Sequence, residues 1–131
     1  MRIRFAIVCL AAIAGAAGCC ASPGRQPATV SPVQHVVIFW LKNPGDQAAR
    51  RQIVETSKTF TEIPGVLEVR AGTVVPSERP IVDSSFDVAI LMTFKDAASM
   101  TAYLDDPIHQ KAMKDVLTPH VKKILVYDFA Q

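Results

Sequence analysis

Two short stretches, VVIFWL (36–41) and VAILM (88–92), are apolar at every position. Side chains of a β-strand alternate between its faces, so a strand built from either stretch has to bury both. β-Branched and aromatic residues extend them into the strands QHVVIFWLK (34–42) and FDVAILMTF (86–94). Two more strands read from VLEVRAGTVV (66–75) and VKKILVYDF (121–129); in the first, Leu67, Val69 and Ala71 alternate with Glu68 and Arg70. DQAARRQIVETSKTFTEI (46–63) repeats Ala49, Ile53, Phe60 and Ile63 at helical intervals, and Pro64-Gly65 ends it. DAASMTAYLDD (96–106) is a second helix with Asp96 as N-cap, and PIHQKAMKDVLTPH (107–120) opens a short third with Pro107 in its first turn.

The resulting order, β-α-β-β-α-β, is that of a ferredoxin-like α+β sandwich, an antiparallel sheet with its helices on one face. The other face of such a sheet is polar when it meets water. Here it carries Val36, Ile38 and Trp40, while His35, Val37, Phe39 and Leu41 fall on the opposite face. Burying one large apolar side chain stabilises by about 1.5–3 kcal/mol, so leaving a whole apolar face in water is costly. A second copy packed sheet to sheet resolves this, giving a homodimer and a dimeric α/β barrel.

Residues 1–18 read as a lipoprotein-type signal peptide: Arg2 and Arg4, then the uncharged run FAIVCLAAIAGAAG, too short to span a bilayer. AAGC makes Cys19 the lipidation site, with Ala16 where that pattern prefers Leu; plain secretion with cleavage after Ala21 is the alternative. Residues 19–33 hold three prolines among small polar residues and read as a tether, leaving residues 34–131 as the domain. The expected location is therefore the cell envelope, with the lipid anchor as the sole membrane contact. Cys9, Cys19 and Cys20 all precede the domain, which thus has no disulfide, thiol nucleophile or Cys metal site. Of 14 basic residues, Arg2, Arg4 and Arg25 lie outside it, so 11 face 12 acidic residues. That balance gives no reason to expect nucleic acid as a partner.

HVVIFWLK at the first strand, IPGV after the first helix, FDVAILMTF, YLDDPIH and the closing ILVYDF together resemble the stress-responsive dimeric α/β-barrel (Dabb) family over about residues 34–129. The resemblance implies a ferredoxin-like protomer whose sheets form a barrel at a dimer interface. The family's functions divide. One member, a plant olivetolic acid cyclase, closes a polyketide by aldol chemistry with a tyrosine and a histidine at the spacing of Tyr103 and His109. Its pocket also uses positions matching His35, Val37 and Phe39. Others are protective oligomers. Where the cyclase has aromatic residues on its first helix, Gln52 and Thr56 stand, which implies a more polar pocket.

YLDDPIH (103–109) is the candidate site. On one helix, residues six apart point about 240° from each other. Pro107 breaks the helix, so Tyr103 and His109 are expected to reach one cavity, with His35, Val37 and Phe39 beneath them. A phenol and an imidazole form an acid–base couple: His109 takes a proton alpha to a carbonyl and Tyr103 donates to the developing oxyanion. The leading expectation is that the same groups are polar contacts for a small apolar or carbonyl-containing ligand without turnover, with the lyase or cyclase chemistry as the alternative. His120, after Pro119, reads as a surface residue and Trp40 as dimer core. His35, His109 and His120 have no Asp, Glu or Cys spaced to complete a metal site, so neither metal nor cofactor is expected.

Overall fold

The computed structural model describes residues 31–130. The expected signal peptide, Cys19 and most of the expected tether lie outside that range. Among the described residues no helix is long and apolar enough to cross a membrane.

Four antiparallel strands form one sheet in the order β2-β3-β1-β4. They are β1 (Val33–Leu41), β2 (Val66–Thr73), β3 (Val88–Phe94) and β4 (Val121–Ala130). Helix α1 (Gln47–Lys58), tightened into a last 3₁₀ turn at Thr59–Glu62, crosses from β1 to β2. Helix α2 (Ala97–Asp105) and helix α3 (Pro107–Ala112) link β3 to β4. This is the ferredoxin-like α+β fold the sequence pattern implies. α3 runs on through a wide turn, Met113–Leu117, into Thr118–His120. Pro119 lacks an N–H and so cannot continue the helical ladder, which accounts for the widening just before it.

Asp46 and Asp96 start α1 and α2 by accepting backbone N–H bonds, at 2.9 Å from Ala48 and 2.7 Å from Ser99. Between α1 and β2, Gly65 turns the chain with φ +88°, and a Cβ there would lie 2.4 Å from that of Ser99. Only glycine meets both conditions.

β1 alternates strictly: Val33, His35, Val37, Phe39 and Leu41 are buried under the helices, and the residues between are half-buried on the open face. β3 does the same, and Ala49, Ile53, Phe60 and Ile63 pack down on it as the helical repeat implies. On the open face, Val36 lies between Leu91 and Tyr127, and Ile38 between Ala89 and Leu125. The centre of the sheet is thus apolar on both sides, with Gln34, Thr93, Arg70 and Lys123 around it on the open face.

Three local readings need correction. Leu67 does not alternate into the core: the register shifts between Val66 and Glu68, and Leu67 is extruded and 60 % exposed. β2 stops at Thr73 and β3 starts at Val88, two residues inside the expected ends. The cause is Asp87, whose buried carboxylate accepts N–H bonds from Leu41 and Gly45, each at 2.8 Å, and pairs with Arg50 at 2.7 Å. That side chain holds the loop against β1 where strand pairing would otherwise continue.

Candidate functional site

The break at Pro107 builds the site. The residue before a proline is pushed out of the helical region, and Asp106 is extended at φ −67°, ψ 135°. Its carboxylate then caps α3, accepting the Ile108 N–H at 2.8 Å. The interruption leaves the Leu104 carbonyl without a helical partner, and His109 Nδ1, at 3.1 Å, and the Gln110 amide both bond to it. In consequence the rings of Tyr103 and His109 lie 4.3 Å apart, tilted by 42°.

Both face a cavity of about 250 Å³ between sheet and helices. Its floor is His35, Val37 and Phe39 of β1 with Ile90 and Met92 of β3. Tyr103, His109 and Met113 roof it, and Phe60 closes one side, 5.6 Å from the Tyr103 ring. Ile124 and Val126 of the edge strand β4, each about two-fifths exposed, form the rim with Leu104. Among the described residues its polar side chains are His35, Tyr103 and His109, with 6.1 Å between the His35 and Tyr103 ring centres. Among the described residues no lysine or arginine lines the cavity, so a phosphate or carboxylate would meet no permanent cation there.

Burial pushes the Tyr103 phenol above its usual range, so its hydroxyl stays protonated at neutral pH. Burial pulls the His109 imidazole down; the bond to Leu104 opposes this, and the charge of His35 adds to it. A carbonyl oxygen only accepts, so His109 Nδ1 carries the hydrogen and its Nε2 is left as an acceptor. His35 lies directly opposite Asp128 across β1 and β4, and its Nδ1 is 2.5 Å from the Asp128 carboxylate. The cavity therefore offers one hydroxyl donor and two imidazoles, each bonded through Nδ1 to a protein oxygen.

The five residues singled out from the sequence, Tyr103, His109, His35, Val37 and Phe39, all line this one cavity. Trp40 is on the other face of the sheet, bonded to Ser85 at 3.0 Å and covered by Lys123. His120 is remote, its carbonyl accepting the Lys42 N–H. Among the described residues no group of three or more His, Cys, Asp or Glu is placed to hold a metal ion. Two contributors were not foreseen. Asp128 is invisible until the β1–β4 register is known, and it is the acidic neighbour of His35 that residue spacing did not reveal. Phe60 reads as ordinary core in the helical repeat. The expected polarity from Gln52 and Thr56 is not found. Gln52 is exposed, and Thr56 lines a separate small void behind Phe60, Ile90 and Leu117, which wall it off from the cavity.

Comparison with known proteins adds a family and a set of folds. Residues 33–131 match the Dabb family, described as the stress responsive A/B barrel domain. Among curated proteins no sequence matches the chain. Among solved structures, a Dabb family protein with a ferredoxin-like fold from Mesorhizobium loti is 27 % identical over 77 % of this chain and 97 % of its own, with a TM-score of 0.62. A dimeric ferredoxin-like protein from Jannaschia is 25 % identical, covering 75 % of this chain and 97 % of its own, with a TM-score of 0.58. A hydroxynitrile lyase from Passiflora edulis shares the fold at 24 % identity over 78 % of this chain and 94 % of its own, with a TM-score of 0.62.

Proposed function

The chain belongs to the stress responsive A/B barrel (Dabb) family, and from that footing we propose that it binds a small neutral molecule with one carbonyl or hydroxyl group. The carrying observation is the cavity: apolar walls, a polar cluster at one end and, among the described residues, no lysine or arginine. Its volume of about 250 Å³ falls just below the roughly 300–1,000 Å³ of sites for drug-sized ligands. The ligand is correspondingly small. Its apolar part lies along Phe39, Ile90 and Met113, and its oxygen meets the Tyr103 hydroxyl. Native mass spectrometry of the full chain tests this. A co-purifying mass that disappears in Val126→Trp, which fills the rim without entering the core, is the expected result. No adduct, and no binding of small ketones by calorimetry, overturns it.

A second reading adds turnover: cofactor-free lyase or cyclase chemistry with Tyr103 as hydrogen-bond donor and His109 as its imidazole partner. The 4.3 Å ring separation favours it, since both groups then reach the same ligand atom or one bridging water. A lyase is built on this fold in Passiflora edulis.

The assembly proposed is a homodimer through the sheet face carrying Val36, Ile38 and Trp40. It is supported by that face being apolar and by relatives described as dimeric. Export and anchoring through Cys19 are proposed on the sequence of residues 1–21 alone. Metabolic labelling with a palmitate analogue should mark the wild type and not Cys19→Ser; unlabelled wild type contradicts the anchor.

A further inference from the structure

We propose that His35 is the proton acceptor of the cavity and that Asp128 is its positioning residue, holding the imidazole with Nδ1 protonated and Nε2 bare. This rests on the reading that the cavity takes a neutral carbonyl compound. Three observations carry it. His35 is 8 % exposed on the cavity floor, yet its Nδ1 lies 2.5 Å from a carboxylate on the neighbouring strand. A carboxylate only accepts, so Nδ1 carries a hydrogen, and in the neutral imidazole the lone pair is on Nε2, the nitrogen left for a ligand. Asp128 itself is 44 % exposed in its side chain, at the sheet edge, and is not needed to fill the core.

The two imidazoles are not equivalent. His109 is tied to a neutral carbonyl and burial disfavours its charged form, as does charge on His35. Beside His35 stands a carboxylate that meets the positive charge formed when Nε2 takes a proton. The step balances as follows. A C–H bond alpha to the carbonyl breaks, its electron pair becomes the enolate, and the proton moves to His35 Nε2. The Tyr103 hydroxyl hydrogen-bonds to the enolate oxygen and keeps its own proton. Return of a proton from Nε2 restores the ketone.

Two measurements on the full chain test this. The first is the ¹⁵N imidazole spectrum of labelled protein, whose three histidines are assigned by His→Gln variants. The expected result is His35 protonated at Nδ1, with the proton spread over both nitrogens in Asp128→Ala. His35 protonated at Nε2 in the wild type overturns the proposal. The second is deuterium exchange into the methyl group of acetophenone in D₂O, followed by ¹H NMR. The wild type should accelerate exchange over buffer, and His35→Gln should lose about 10²-fold or more. Asp128→Ala should slow exchange about tenfold while acetophenone still shifts the Met92 methyl signal, an outcome a purely structural role for Asp128 does not give. Bound acetophenone without exchange, or a larger loss in His109→Gln than in His35→Gln, overturns the proposal. Acetophenone that does not bind overturns the ligand reading instead, and the imidazole spectrum then decides the His35–Asp128 pair alone.

Discussion

Tyr103 is buried among aromatic rings, 5.1 Å from Phe94 and 5.6 Å from Phe60, and its ionisation is suppressed there. A phenol so placed acts as a donor and not as a base. Tyr103→Phe keeps the ring contacts and removes the donor, so thermal stability should change by less than about 1 kcal/mol. Affinity for acetophenone should fall by about 0.5–1.5 kcal/mol, the net value of one hydrogen bond. Calorimetry giving equal affinities for the two proteins would show that the hydroxyl is not used. His109 makes a pH prediction. Its folded pKa lies below the unfolded value of about 6.5, so the unfolded chain binds more protons as pH falls. The stability tied to its neutral form is present above about pH 6.5 and is lost as pH falls toward the lower folded value. Urea unfolding at pH 7.5 and pH 5 should show a smaller drop in His109→Gln than in the wild type. At this scale the Tyr103–His109 pairing was legible because its cause is local: a proline six residues of chain can explain. Asp128 was not, because a partner 93 residues away is fixed only by strand register. Nor was the exclusion of Thr56, which depends on where the Phe60 ring lies.

The elements were readable wherever burial decides them and misread where a polar side chain takes over the backbone. Strict alternation in β1 and the 3.6-residue repeat of α1 survive intact, since slipping either would turn its apolar face to water. The ends of β2 and β3 did not follow propensity because Asp87 captures the backbone of Leu41 and Gly45 and the guanidinium of Arg50. Desolvation opposes the ionised carboxylate, and these three partners outweigh it, holding Asp87 below the ordinary carboxylate range. Arg50 and Asp87 are both largely shielded, with side chains 15 % and 4 % exposed. Removing one partner of such a pair strands the other, at a cost of about 3–5 kcal/mol. Asp87→Ala should therefore lower the urea midpoint sharply, and the added loss of two N–H acceptors places it at the upper end. A loss below about 1 kcal/mol would mean that water replaces the carboxylate without penalty, and that Asp87 does not hold β1, α1 and the β2–β3 loop together.

For the whole molecule, helices cover one side of the sheet, and among the described residues no helix covers the other, where Lys123 lies over Trp40. Val36, Ile38, Leu91 and Leu125 make its centre, with Tyr127 and Phe129 of β4 55 % and 50 % exposed beside them. A second protomer is the cover that uses no further sequence: a two-fold axis through the face sets each apolar row against its own copy. The cavity lies on the far side of the same strand, because Val36 and Ile38 alternate with His35, Val37 and Phe39. In the proposed sheet-to-sheet dimer, association would clamp the strand that forms the cavity floor and so couple folding, association and the site. Ile38→Asp separates these possibilities. In a dimer it buries two unpaired carboxylates against each other near the axis, at a cost of several kcal/mol. In a monomer the same side chain is half-open to water and costs little. Sedimentation of the wild type at micromolar concentration should give a dimer, and Ile38→Asp a monomer or insoluble protein. Acetophenone binding should weaken with the loss of the dimer even though residue 38 does not touch the cavity. A wild type that sediments as a monomer rules out the sheet-to-sheet assembly, and an Ile38→Asp monomer with unchanged binding shows that the cavity is complete within one chain.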